Sequence, residues 1–131
     1  MSSSEIRVAL IDDHEVVLQG LSALLNSHSG IKVISTHLSG HDAIAKLPTQ
    51  TVDVIITDIN MPDLNGFETA ASLKEAIPNA RLIALSMEYG QAHRNKAQDQ
   101  MLSGYVSKSA PVEEVVSAIK TVYSGGTYFH N

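Results

Sequence analysis

Short apolar runs that each stop on a polar or charged residue, separated by segments with helical spacing, constrain this chain more than any other feature. Ile6 to Ile11 ends on Asp12-Asp13, Val52 to Thr57 on Asp58, Arg81 to Leu85 on Ser86, and Gly104 to Ser107 on Lys108. Ile31 to Thr36 is a fifth, weaker run. Val- and Ile-rich runs bounded by polar residues read as strands of a parallel sheet buried on both faces. Between them, Val16, Val17, Gly20, Leu21, Leu24 and Leu25 share one helical face, as do Val112, Val115, Val116, Ile119 and Val122. Glu113 and Glu114 complement the dipole of the latter helix, and Pro111 fits its first turn. Asp42 to Leu47 is a short helix. Gly66 to Ile77 is a longer one, with Phe67, Ala70 and Ala71 inward and Pro78-Asn79 as its stop.

Strand followed by helix, five times over, predicts a doubly wound α/β sandwich in one domain over residues 1–131. The segment Gly90 to Gln100 is the weakest of the helices. It is strongly polar, with Ala92, Ala97 and Met101 its only apolar stripe, so a short or mobile element is expected there.

Composition removes several function classes. With 44% hydrophobic and 18% charged residues, the chain is ordinary for a globular protein and unlike a disordered one. A net charge of -5 and a pI near 5.6 suit DNA phosphates poorly, so no direct nucleic-acid binding is expected of this domain. Without cysteine there is no disulfide, thiolate metal site or thiol nucleophile. The first residues lack the basic and apolar regions of a signal peptide, and the apolar runs fall far short of a membrane span. A soluble cytoplasmic protein with no membrane contact is expected.

In an open parallel sheet, ligands bind beyond the carboxyl ends of the strands. Asp12, Asp13, Asp58, Ser86 and Lys108 all fall there, giving three carboxylates, a hydroxyl and an ammonium on one rim. Crowded carboxylates repel, and a hard divalent cation such as Mg²⁺ relieves that with oxygen ligands. One carboxylate can then attack a phosphoryl donor, with the metal, ammonium and hydroxyl stabilising the transferred charge. Taken singly, each residue has a plainer reading. An aspartate after a strand serves as a turn residue or helix cap, a lysine as a solvated charge, and Tyr105 as a partly buried strand tyrosine. The plain readings do not explain why all five collect on one side. The six histidines, His14, His28, His37, His41, His93 and His130, form no metal-ligand spacing, and His14 reads as a helix-start residue.

The segments Ile11-Asp12-Asp13-His14, Asp58-Ile59-Asn60-Met61-Pro62 with Gly66, Ser86, and Gly104-Tyr105-Val106-Ser107-Lys108 resemble, in that order, a CheY-like response-regulator receiver domain. The resemblance covers essentially the whole chain. It implies a five-stranded parallel sheet of flavodoxin/CheY type, strand order 2-1-3-4-5, with five helices on two faces. It implies Asp58 as phosphoacceptor and Mg²⁺ held by Asp13 directly, Asp12 through water, Asp58, and the Asn60 backbone carbonyl. Lys108 would contact a phosphoryl oxygen, Ser86 would move its hydroxyl onto the phosphoryl group, and Tyr105 would turn inward. Asn60 and Glu88 occupy positions that influence phosphate lifetime. The switch would remodel the face of the fourth helix, fifth strand and fifth helix. The implied partners are a sensor histidine kinase and, in the full-length protein, a C-terminal helix-turn-helix domain; two faces are available for a homodimer.

Val17, Gly20 and Leu21 after the acidic pair, Ser109-Ala110 after the lysine, and the closing Gly125-Gly126-Thr127-Tyr128-Phe129 resemble receivers that precede a LuxR/NarL-type DNA-binding domain. That effector domain is absent here, and an excised N-terminal half of a transcription factor is expected. Ser86 stands where threonine is commoner and keeps the hydroxyl. Two rival readings differ in class. A haloacid-dehalogenase-like phosphatase would carry a second aspartate where this chain has Asn60. A pseudo-receiver binding module would have lost an acid or the lysine. A phosphoacceptor switch, not a turnover enzyme, is the expectation.

Overall fold

The computed structural model describes residues 5–59, 66–87, 95–97 and 102–129. The polar stretch from Gly90 to Gln100 falls outside them except for a helical turn at 95–97. Asn60, Met61, Pro62 and Glu88 also lie outside the described residues.

The strands are β1 (Ile6–Ile11), β2 (Ile31–His37), β3 (Val54–Asp58), β4 (Arg81–Ser86), β5 (Gly104–Ser107) and β6 (Tyr128–Phe129). They form one parallel sheet in the order β2-β1-β3-β4-β5-β6. The 2-1-3-4-5 order holds, with a sixth, two-residue strand added at the edge. That strand exists because the chain reverses sharply after its last helix. Gly125, at φ 100°, donates to the carbonyl of Val122, and Gly126 donates to that of Thr121. This is the paired closure that a left-handed glycine allows at a helix end.

Helices α1 (Glu15–Asn26) and α4 (Val112–Tyr123) cover one face of the sheet; α2 (Gly40–Lys46) and α3 (Gly66–Ala76) cover the other. Helix α4 is the fifth helical segment of the sequence. Alternation along the strands supplies both cores. Val8, Leu10, Val54, Ile56, Ile83 and Leu85 face α1 and α4, and Ala9, Ile11, Ile55, Leu82 and Ala84 face the other side. Val115, Val116, Ile119 and Val122 of α4 are buried as their spacing predicts, and Val112 packs against the same core.

Two expected faces are corrected. In α1 it is Leu18 and Leu25 that are buried, with Leu21 packed beside them, while Val16 is 83% and Leu24 51% exposed. In α3, Phe67, Ala70 and Leu73 point inward and Ala71 is exposed. Helix α1 is apolar over more than half its circumference, so periodicity alone admits two overlapping stripes there.

Edge strand β2 carries a polar network centred on a buried histidine. Its pairing with β1 slips by one residue at Ile34, which turns Ser35 and His37 to the side of Ala9 and Ile11. His37 is 3% exposed; its Nε2 lies 2.7 Å from Ser35 Oγ and its Nδ1 2.7 Å from Asp42 Oδ2. Lys46 Nζ closes the network at 2.8 Å from Asp42 Oδ1. The hydrogen bond from Lys46, then that from His37, hold the Asp42 carboxyl below its ordinary value. Ser39 caps α2, its hydroxyl accepting from the Asp42 N–H at 3.0 Å.

Candidate functional site

Parallel register fixes which residues share the carboxyl rim. Ile11 pairs with Thr57, Asp58 with Leu85, and Ser86 with Ser107, so β1, β3, β4 and β5 end almost level. Asp58 and Ser86 are the final residues of their strands, and Asp12 and Lys108 are the first residues beyond theirs. Asp58 and Ser86 are fully buried, and Asp12 is 2% exposed. Main-chain bonds hold the rim together. The Asp12 N–H donates to the His37 carbonyl at 3.0 Å, the Ile59 N–H to Leu85, and the Lys108 N–H to Ser86 at 2.8 Å.

Lys108 reaches across the rim. Its Nζ lies 2.7 Å from Asp12 Oδ2 and donates to Asp58 Oδ2 at 3.2 Å. Its backbone sits in a tight turn in which Ser107 Oγ contacts Ser109 Oγ at 2.8 Å and accepts from the Ser109 N–H. Burial pulls the ammonium down, but the hydrogen bond to Asp12 and the charges of Asp58 and Asp12 outweigh it, so its pKa stands above the ordinary 10.5.

Asp13 is half-buried at the mouth, and its Oδ1 has no well-formed hydrogen bond. With three formal carboxylate charges against one ammonium, the site carries a formal excess of two negative charges. The donors are oxygens, and a single divalent cation balances them, so the residues present fit Mg²⁺. Asp12, Asp13 and Asp58 converge as the sequence predicts.

His14 was not expected among them. It holds the position before α1, where its side chain makes no cap. Its Nδ1 instead lies 3.1 Å from both Asp12 Oδ1 and Asp13 Oδ1, which brings a nitrogen into the acidic group. The sequence signal was adjacency: an imidazole directly after two carboxylates, where the chain turns into a helix and the ring can fold back.

Tyr105 is 2% exposed and packs on the α2/α3 side of the sheet, in the alternation it shares with Ser107 one strand from Ser86. The ring is thus inward in this structure. The Asn60 carbonyl and the Glu88 side chain, expected as ligand and lifetime residues, lie outside the described residues.

Strand order and the placement of the acids on one rim define a receiver: the chain belongs to the response regulator receiver domain family, whose profile matches residues 8–120. It is 37% identical over 123 residues to response regulator UvrY of Escherichia coli (strain K12), covering 94% of this chain and 56% of that protein. Transcriptional regulatory protein UhpA of the same strain is also 37% identical over 123 residues, covering 94% of this chain and 61% of its own length. A LuxR-family two-component response regulator from Aurantimonas sp. SI85-9A1, known from a crystal structure, matches with a TM-score of 0.90 at 29% identity, over 95% of this chain and 89% of that one. The chain spans little more than half the length of the curated relatives it matches.

Proposed function

We propose that Asp58 accepts a phosphoryl group, with Mg²⁺ bound by Asp12, Asp13, Asp58 and the Asn60 carbonyl, and that the chain is a switch and not a turnover enzyme. One observation carries this reading: a fully buried carboxylate within 3.2 Å of a buried ammonium, in a cluster with two formal charges left for a cation to balance. An oxygen of Asp58 attacks phosphorus while the donor's bond to phosphorus breaks and its electron pair leaves with the donor. Acetate leaves from acetyl phosphate; an imidazole leaves from a phosphohistidine and takes up a proton. When bound, Mg²⁺ neutralises charge on the carboxylates and the transferred oxygens.

Lys108 orients the acceptor before transfer and donates to a phosphoryl oxygen after it. The new group adds about 1.5 to 2 negative charges. Ser86 moves its hydroxyl toward them and the Tyr105 ring, inward in this structure, is held in the space behind it, which shifts a two-state equilibrium and remodels the surface around β5 and α4. Asn60 and Glu88 set how readily water reaches the aspartyl phosphate.

Likeness to UvrY, UhpA and a LuxR-family regulator supports a cytoplasmic location for this protein, a sensor histidine kinase as donor and transcription as output, through a C-terminal helix-turn-helix domain of the full-length protein. A homodimer is a further partner of the switched state. Among the described residues, no helix is long and apolar enough to cross a membrane.

Intact mass after treatment with acetyl phosphate tests the reading. One phosphoryl adduct is expected in wild type with Mg²⁺, and none in Asp58→Ala or without metal. A folded wild type that takes no adduct overturns it.

A further inference from the structure

Resting on the reading of Asp58 as phosphoacceptor and Lys108 as its cationic partner, we infer that Ser107 is a positioning residue for that lysine. Its hydroxyl closes the turn that carries Lys108 and so sets where the ammonium lies over the rim. Three observations on different atoms support this.

The first is how β5 ends. Ser107 is its last residue. The Ser109 N–H donates to Ser107 Oγ at 3.1 Å, and the two hydroxyl oxygens lie 2.8 Å apart. A serine hydroxyl that captures the N–H two residues on competes with the strand ladder and turns the chain. The Ser107 carbonyl closes the same turn one residue later, accepting from the Ala110 N–H at 3.1 Å. Lys108 lies inside both closures, and its own N–H is fixed on the Ser86 carbonyl at 2.8 Å. The main-chain bonds can form with any residue at position 107. The closure through Oγ needs a hydroxyl there.

The second is burial. Ser107 is buried, whereas Ser109 is exposed. A buried hydroxyl is held to its protein partners. If it is deleted, the groups of Ser109 turn to water, which satisfies them nearly as well. Loss of the hydroxyl therefore loosens the turn at small cost to the fold.

The third is tolerance at the far end of the lysine. Nζ stands 2.7 Å from Asp12 Oδ2 and 3.2 Å from Asp58 Oδ2. The second distance is at the long limit of an N–H···O bond, about 2.7–3.2 Å. A slight withdrawal of the ammonium thus breaks its bond to the acceptor first, while the one to Asp12 survives. Lysine carries its charge on a flexible four-carbon stem, so the precision has to come from the backbone. Misplacing a reacting group by about 1 Å costs on the order of 10²-fold in rate.

Two measurements test this. In the first, adduct formation with acetyl phosphate and Mg²⁺ is followed by intact mass against time. Ser107→Ala should slow it roughly tenfold. Ser107→Thr keeps the hydroxyl and should recover most of the loss. Ser109→Ala removes the second hydroxyl but keeps the N–H donor, and should slow the reaction about threefold. An unslowed Ser107→Ala overturns the inference, and so does a Ser107→Thr as slow as Ser107→Ala. Should Ser107→Ala not fold, an unslowed Ser109→Ala decides against it.

The second measurement needs no phosphoryl donor. Urea unfolding compares wild type, Ser107→Ala, Lys108→Ala and the double variant. The drop in midpoint caused by Lys108→Ala should be smaller by at least about a third when Ser107 is already alanine, because the ammonium no longer sits on both carboxylates. Equal drops overturn the inference and leave Ser107 a satisfied buried hydroxyl. Wild type that takes the adduct while the drops are equal sinks this inference alone. Wild type that shows the coupling but takes no adduct sinks only the phosphoacceptor reading.

Discussion

Lys108→Ala is the perturbation whose cost the structure defines most closely. The side chain is 8% exposed and its Nζ stands 2.7 Å from Asp12 Oδ2 and 3.2 Å from Asp58 Oδ2. Both carboxylates are buried, so removing the ammonium leaves charge in a poorly solvated place. Breaking a buried pair by deleting one partner costs about 3–5 kcal/mol. Set against a domain stability of about 5–15 kcal/mol, this is a large share. Most of the cost comes from the stranded carboxylates and little from lost packing. The same substitution in an Asp58→Asn background should therefore cost less, by a coupling of about 1–3 kcal/mol. Mg²⁺ should also restore more stability to Lys108→Ala than to wild type, because it replaces the missing charge. A ligand at one hundred times its dissociation constant stabilises by about 2.7 kcal/mol. Urea unfolding of the four proteins of the cycle, with and without Mg²⁺, measures these quantities. The pH dependence has a definite sign. A lysine raised above 10.5 stabilises the fold below that value, wherever its aspartate partners are ionised, and loses that contribution as pH rises through its folded value. The gap between wild type and Lys108→Ala should hold at neutrality and close as pH rises through the raised lysine value. Equal costs in the two Asp58 backgrounds would refute the reasoning.

Other outcomes follow from single contacts. A Cβ on Gly104 would lie 3.2 Å from the Tyr128 carbonyl oxygen and 3.3 Å from Ile83 Cγ1, so Gly104→Ala should cost about 1–3 kcal/mol; a melting temperature equal to wild type's would contradict it. Asp42→Asn removes a carboxylate held below its ordinary 3.8, whose contribution is present above that value and lost as pH falls through the lowered one. Melting curves of this variant and wild type should therefore differ at neutral pH and converge in acid. Asn60→Ala and Glu88→Ala should each change the decay rate of the phosphorylated form, followed by mass against time. Unchanged rates would remove both residues from the mechanism.

The strand ends were legible because each apolar run stops on a polar residue and parallel pairing brings those ends to one rim, even though Asp12, Asp58 and Ser86 are themselves buried. Asp12, Asp13, Asp58, Ser86 and Lys108 converge for that reason. The inward face of α1 was not legible. Leu18, Leu21 and Leu25 form one stripe and Val16, Val17, Gly20 and Leu24 another, and hydrophobicity does not say which one meets the sheet. Strand β6 is two residues long, too short for any alternation to show, and it depends on the turn at Gly125 and Gly126. His14 stands at the helix start as expected, but the contact of its ring with Asp12 and Asp13 was not legible, because it follows from where the ring folds, which adjacency hints at and spacing between histidines does not. The buried His37 network depends on a one-residue slip in strand pairing, and no residue type announces such a slip.

The lysine and the acid it grips lie 50 positions apart along the chain. Asp12 is comparably distant from Asp58, and each gap is bridged by two successive crossovers with a strand between them. Closing loops of that length is a slow, late step, since entropy is lost before the contact repays it. A chain with only half its sheet assembled has the aspartates but neither the lysine beside them nor the level rim. The cluster thus requires β1, β3, β4 and β5 to be paired side by side. The rim is therefore a property of the paired sheet and of no single segment, so loss of pairing in any one of these strands scatters the charges together.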